Sequence, residues 1–198
     1  ERYAALVSAL VFAGSALSLL IVSVAAHSTF MPMQGGVYRE GIVGQPSIIN
    51  PITSANPADQ DLAALLFAPL KTLLAASERS KDATVYTLKL KEDLVWEDGE
   101  PLTSDDIVFT IEVAQDTTAE SAFAAALRGV SVERVSMLQI KLTFPSPNVF
   151  FEDLLARLPV IPRHVWGRIP AKNFHLSEYA LQPVGNGPYR VASFSKAK

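Results

Sequence analysis

Residues 95–110 read VWEDGEPLTSDDIVFT and hold the signals for a tight turn and a helix start close together. Asp98 and Gly99 form a dipeptide that strongly favours a tight turn. Thr103 is a suitable helix N-cap, and Asp106 at the third helical position completes a capping box. The stretch predicts a turn above a packed Trp96, followed by a helix. Four apolar side chains of that helix are predicted to face the core: Ile107, Val108, Ile111 and Ala114.

Strand patterns lie on both sides of this stretch. Val85–Lys91 alternates between apolar and polar residues, as a strand with one buried face does. Val130–Arg134 and Met137–Phe144 are separated by two residues and predict a hairpin. Pro145 and Pro147 follow the second strand and end it. These patterns predict a sheet beside the capped helix.

Other segments add both strands and helices. Val37–Val43 is a predicted strand, Val184–Phe194 is a predicted turn and strand, and Gly44–Pro57 is a proline-rich loop. Asn56 is the predicted N-cap of a helix that begins at Pro57. Val149–Leu158 predicts another helix. Because strands and helices are intermixed, the predicted fold class is mixed α/β.

The residues from Tyr3 to Ala26 form an uncharged stretch of about 24 residues, long enough for a helix that crosses a bilayer. Two interpretations remain open: an uncleaved transmembrane anchor, or a signal peptide, whose apolar region usually runs only about 7–15 residues. The length favours the anchor. Arg2 before the stretch places that end in the cytoplasm and the remainder outside, at the cell membrane.

Composition excludes several classes of function. The chain has 17 Lys and Arg against 20 Asp and Glu, a net charge of −3, without a basic patch that would bind nucleic acid. It has no cysteine, which excludes disulfides, thiol catalysis and thiolate metal sites. A domain outside the cytoplasm must then be stabilised by its core.

Catalytic and metal-binding patterns are missing as well. His27, His164 and His175 lack the spacing of metal ligands, so packing or surface roles fit them better. Asp105 and Asp106 are a conceivable acid/base pair, but in a first helical turn they more simply complement the helix dipole. The sequence therefore predicts no enzymatic activity, no metal and no cofactor.

Four segments, in order, resemble the solute-binding proteins of family 5, the peptide, dipeptide and nickel receptors of ABC importers. The most specific of the four is residues 86–110, which resemble the family pattern Y-x-F-x-L-R followed by W-x-D-G-x-P-x-T-A-x-D-V-x-F. The other matches are GIVGQPSIINP at 41–51, LPVIPRHVW at 158–166 and PVGNGPY at 183–189. The physics of residues 95–110 makes this mainly a folding signature.

The resemblance implies a fold and a domain organisation. The fold is a periplasmic-binding-protein-like (type II) first lobe, preceded by one transmembrane helix. Residues 1–27 are the anchor or signal peptide, 28–36 a linker and 37–198 the N-terminal lobe, incomplete because the second lobe is absent. Such a half-cleft is expected to bind its ligand weakly, since burial from both sides is lost.

The resemblance also implies a function: a membrane-anchored, extracytoplasmic protein that delivers peptides or similar small solutes to an ABC permease. A sensor or adhesion domain on the same fold is the alternative; a hydrolase is disfavoured because no nucleophile–base pair is visible. Ligand contacts are expected in the loop after the first strand. An equal possibility is that Ser47 and Asn50 only satisfy the loop's own backbone. The expected ligand-binding residues are Val43, Gly44, Gln45, Ser47 and Asn50.

Overall fold

The structure, a computed structural model, describes residues 2–27, 36–37, 39–54 and 56–195. Contacts within the chain divide it into two units, residues 1–41 and 42–198. The predicted linker 28–36 lies outside the described residues except for Gly36. The elements in chain order are α1 (Arg2–His27), α2 (Pro57–Leu66), α3 (Leu70–Leu73), β1 (Leu74–Arg79), β2 (Val85–Leu90), α4 (Ser104–Gln115), α5 (Ala124–Leu127), β3 (Ser131–Ser136), β4 (Gln139–Thr143), α6 (Phe151–Leu155) and α7 (Arg163–Trp166), with 3₁₀ turns at Thr117–Ala119, Ala171–Leu176 and Glu178–Ala180.

The first unit contains α1, so the prediction of a helix through the uncharged N-terminal stretch is confirmed. Within it, the Ser15 and Ser18 hydroxyls donate to the carbonyls of Phe12 and Gly14, at 2.9 Å each. Among the residues that the structure describes, no helix combines the length and the apolar character needed to cross a bilayer.

The second unit is built around the stretch 95–110, which folds as predicted. The Gly99 amide donates to the Trp96 carbonyl across the turn at 3.0 Å, and Gly99 has a φ of +90°, which favours glycine. Beneath the turn the Trp96 side chain is 1% exposed. The capping box is complete: the Thr103 hydroxyl accepts from the Asp105 amide, and Asp106 accepts from the Thr103 amide at 2.9 Å. The helix start is therefore fixed by local chemistry.

The described residues of this unit form one antiparallel sheet with the strand order β1-β2-β4-β3. The predicted strand at Val85–Lys91 and the predicted hairpin are confirmed as β2 and as β3 with β4. One face of the sheet buries Tyr86, Leu88, Ile140 and Leu142, and such side chains contribute about 1.5–3 kcal/mol each when fully buried. Strand β1 was not predicted, because its sequence LAASER does not alternate.

An aromatic cluster packs helix α6 against this sheet. The ring of Phe151 lies 4.7 Å from Tyr86 and 4.8 Å from Phe144, both edge-on. The Tyr86 hydroxyl donates to the Asn148 carbonyl at 2.6 Å, so its polar end is satisfied. Helix α6 is shorter than the predicted helix Val149–Leu158.

Two predicted strands are not formed. The described residues of Val37–Val43 have no ladder partner, and Ile42 and Val43 are exposed. Residues 184–194 are also irregular: the amides of Asn186 and Gly187 donate to the Leu66 carbonyl at the end of α2 instead. Both predictions were wrong because a strand needs a neighbouring strand for its backbone groups, and neither segment has one in the described sheet.

Candidate functional site

The loop that was expected to bind ligand is held on α2 by a carboxylate. Asp59, 0% exposed, accepts from the Ser47 amide at 2.7 Å, the Ser47 hydroxyl at 2.8 Å and the Ile48 amide at 3.2 Å. Asp59 also lies in the first turn of α2, where the free amides favour a negative charge. The sequence alone does not predict this link, because Ser47 and Asp59 are 12 positions apart.

Asn50 lies inside the same loop and is 0% exposed. Its Oδ1 accepts from the Ile52 amide at 3.0 Å, which makes a local turn. The Ser54 hydroxyl lies 2.7 Å from the Ile48 carbonyl and 2.6 Å from that of Asn50. In this geometry Ser47 and Asn50 satisfy the loop and α2, the possibility that the sequence left open beside ligand contact.

Val43, Gly44 and Gln45 lie at the surface. Val43 is 98% exposed. Gly44 has a φ of +118°, and the Gln45 carbonyl accepts from Asn56 Nδ2 at 3.0 Å. These three positions are accessible to a ligand, so their predicted role stays a prediction.

A groove of about 590 Å³ lies beside this loop. Its walls come from the loop, helix α2, the segment around α5 and the end of α6. Of the predicted site residues, none lines it; the loop contributes Pro51 and Ser54 instead. The lining residues are Pro51, Ser54, Gln60, Ala63, Ala64, Phe67, Pro69, Ala122, Phe123, Ala126, Leu154, Ala156, Arg157 and Pro159.

The groove is bounded mainly by apolar atoms. Phe67 and Leu154 are buried parts of the core, and Phe123 is half-buried. Five of the lining residues are alanines, whose short side chains leave room for a ligand side chain. A volume of 590 Å³ lies within the range of about 300–1,000 Å³ typical of small-molecule sites. The groove therefore suits an apolar group of a ligand.

Backbone pairing holds two walls of the groove together. Pro69 and Pro159 form an antiparallel bridge, and the Leu70 amide donates to the Leu158 carbonyl at 2.7 Å. Thr110 of α4 supports the residues that follow Pro159, because its hydroxyl oxygen accepts from the Ile161 amide at 3.0 Å. A sequence signal did exist here: the alanine-rich run 122–126 offers the small residues that a groove requires, yet it predicts no location for them.

A second polar cluster lies beneath the turn at Asp98. Asp106 accepts from the amides of Thr103 and Arg163, at 2.9 and 2.8 Å, and from the Trp96 indole at 3.4 Å. Burial raises the pKa of the Asp106 carboxyl, against the opposite effect of these donors. Asp105, by contrast, pairs with Arg134 at 3.2 Å on the surface. The two carboxylates do not converge on one point, so the arrangement is structural rather than that of an acid/base pair.

Within the described ranges, no three His, Cys, Asp or Glu side chains come together in a group that could hold a metal ion. The groove itself is lined by one cation and by no carboxylate.

Comparison with known proteins identifies the class to which this fold belongs. Similar solved structures are the ABC transporter substrate-binding protein CtaP from Listeria monocytogenes (29% identity, TM-score 0.69, 78% of this chain and 33% of that one) and NikZ from Campylobacter jejuni in complex with Ni(L-His) (27%, 0.68, 77% and 32%). The fold is that of an ABC transporter solute-binding protein, of which the chain covers one part.

A family model sharpens this assignment. Residues 69–198 match the model described as bacterial extracellular solute-binding proteins, family 5, middle region. The chain belongs to this family. A curated relative, the oligopeptide-binding protein AppA of Bacillus subtilis, is 27% identical over 190 residues, covering 89% of this chain and 35% of the relative. The chain thus spans about a third of the length of such relatives.

Proposed function

We propose that this chain is the N-terminal lobe of an extracytoplasmic receptor that captures peptides or similar small solutes for an ABC importer. The groove of about 590 Å³ carries the proposal, because it gives this lobe an open apolar surface of ligand size. Support comes from the names of relatives: AppA is an oligopeptide-binding protein, and CtaP is a substrate-binding protein of an ABC transporter. Capture here is non-covalent and needs no cofactor.

The proposal places ligand between two surfaces, of which this chain contributes one. Binding to the 198-residue chain is therefore expected to be weaker than about 1 μM, because a ligand on an open groove stays partly hydrated. Val43, Gly44 and Gln45 extend the accessible surface next to the loop and remain proposed contacts, together with Ser47 and Asn50. The permease is the proposed downstream partner of the complete receptor.

Peptide binding can be tested with one blocking substitution and a neighbouring control. Ala126 lines the groove and is exposed, so Ala126→Leu should fill the groove without disturbing the core. Ala125 belongs to the same helix, is exposed and does not line the groove. NMR titration with an acetylated Ala-Leu-Phe peptide should show binding to the native chain and to Ala125→Leu, and at least about fivefold weaker binding to Ala126→Leu. Equal binding by both variants, or none by the native chain, would contradict the proposal.

The N-terminal unit has a separate proposed role. Its uncharged stretch of about 24 residues supports a membrane anchor that keeps the receptor lobe outside the cytoplasm. Carbonate extraction of cell membranes checks this, since an anchored chain stays with the lipid. Release of a shortened form beginning near His27 would instead identify a cleaved signal peptide.

A further inference from the structure

The charges around the groove are one-sided. Among its lining residues Arg157 is the charged one, and no Asp or Glu lines the groove. The chain as a whole has more acidic than basic residues, 20 against 17, so this local balance is opposite to the overall one. An anionic group next to the groove meets attraction without a competing carboxylate in the wall.

Arg157 is held in place by its backbone, while its guanidinium is free. The Arg157 amide donates to the Leu154 carbonyl at 2.9 Å, just after α6. The ion pairs of the described residues join Arg134 to Asp105, Lys141 to Glu133 and His164 to Asp98. Arg157 takes part in none of them and makes no side-chain hydrogen bond within the part of the chain that the structure describes. A free guanidinium beside an apolar groove can take a carboxylate in two parallel hydrogen bonds.

Gln60 provides a neighbouring polar group whose orientation is fixed. Its Nε2 donates to the Ser54 carbonyl at 3.1 Å, which ties the α2 side chain to the loop. The groove thus combines an apolar floor, one oriented amide and one free cation. These three features match a short peptide end that has an apolar side chain, a backbone amide and a terminal carboxylate.

We infer that the groove recognises the carboxyl-terminal end of a peptide. The apolar side chain of the last residue rests between Phe67, Phe123 and the alanines, and the terminal carboxylate pairs with Arg157. This inference rests on the proposed function and adds to it a ligand class and an orientation. Peptides that end in an amide lose the pairing with the guanidinium but keep the apolar contact.

The test compares two forms of one peptide. Acetylated Ala-Leu-Phe with a free carboxylate and the same peptide with a carboxamide end are titrated into the purified 198-residue chain and followed by NMR. The free acid should bind about three- to tenfold more tightly, the range for a partly exposed charge-assisted pair. In Arg157→Gln this ratio should fall to about one, while Arg157→Lys should keep part of it. Arg79→Gln, on the exposed strand β1 away from the groove, should keep all of it.

Failure of the inference differs from failure of the proposed function. If the native chain binds both peptides equally, and Ala126→Leu weakens both, the groove binds peptides but does not read the carboxylate. If neither peptide binds the native chain, both the proposed function and the inference fall. Sedimentation showing self-association that Ala126→Leu abolishes would assign the groove to a second copy of the chain, and this too would overturn the inference.

Discussion

His164 Nε2 lies 2.8 Å from Asp98 Oδ2, and this pair joins helix α7 to the turn that precedes α4. The residue before Asp98, Glu97, donates its amide to the Gly185 carbonyl at 3.0 Å. Three distant parts of the sequence therefore meet at one turn. Gly185 is followed by Asn186 and Gly187, whose amides donate to the Leu66 carbonyl at the end of α2. The turn at Asp98 therefore links α7 to α2, which forms one wall of the groove.

The pair predicts a pH dependence of stability. Burial is the largest single influence on Asp98 and opposes ionisation, but the hydrogen bond and charge of His164, with the Glu100 amide, together lower the pKa of its carboxyl. A carboxyl whose pKa is lower when folded stabilises the protein above its unfolded pKa of about 3.9, and this stabilisation is lost as the pH falls through the folded value. Asp98→Asn should therefore cost about 0.5–1 kcal/mol at pH 6 and progressively less as the pH falls below about 3.9, measured by urea unfolding.

A double-mutant cycle shows whether His164 is the partner responsible. On a His164→Gln background, Asp98→Asn should cost less at pH 6 than it does in the native chain. An Asp98→Asn effect of the same size at every pH, or an effect independent of His164, would exclude the pair as the cause.

Much of the fold could be predicted from sequence because its signals are local. The turn at Asp98 and Gly99, the Thr103 cap and the alternation of Val85–Lys91 each depend on residues a few positions apart. The predictions for Val37–Val43 and Val184–Phe194 failed because strand formation depends on a partner that local pattern does not reveal. Family membership could be predicted for the same reason as the turn and cap: its signature is a folding signature.

The groove could not be predicted, since four separate segments contribute to it. Small residues such as Ala64 and Ala126 indicate no groove individually, and sequence does not reveal long-range contacts such as the bridge between Pro69 and Pro159. The link between Asp59 and the loop could not be predicted either, because the Ser47 amide that donates to Asp59 lies 12 residues earlier in the chain.

Asp106 should be far more important for stability than its neighbour Asp105. In Asp106→Asn an amide NH₂ replaces one oxygen and faces a backbone donor of Thr103 or Arg163, so a buried donor is left unpaired. The expected cost is about 1–3 kcal/mol in the free energy of unfolding. Asp105→Asn breaks an exposed pair with Arg134 and should cost less than about 1 kcal/mol. Similar urea midpoints for the two variants would show that the buried network contributes little.

Asp59→Asn should loosen the loop on α2 while leaving the sheet intact. The substitution removes one of two oxygens that receive the Ser47 and Ile48 amides, at an expected cost of about 1–3 kcal/mol. Hydrogen exchange at those two amides should accelerate more than exchange in β2 or β4. Asp61→Asn, exposed on the same helix, is the matched control and should leave the exchange pattern unchanged. Uniform acceleration throughout the second unit would point to global destabilisation instead.

Gly187 should tolerate no side chain, because the backbone at the end of α2 passes close to it. A Cβ at this position would lie 2.6 Å from the Leu66 carbonyl carbon and 2.7 Å from the Leu65 carbonyl oxygen, both backbone atoms that cannot rotate away. Gly187→Ala should therefore push residues 185–189 off the helix end and cost about 1–3 kcal/mol, a fall of several degrees in Tm. Gly41→Ala, where nothing lies within 4 Å of the added Cβ, should change stability by less than about 0.5 kcal/mol. If Gly187→Ala has the same Tm as the native chain, residues 185–189 do not depend on close contact with α2.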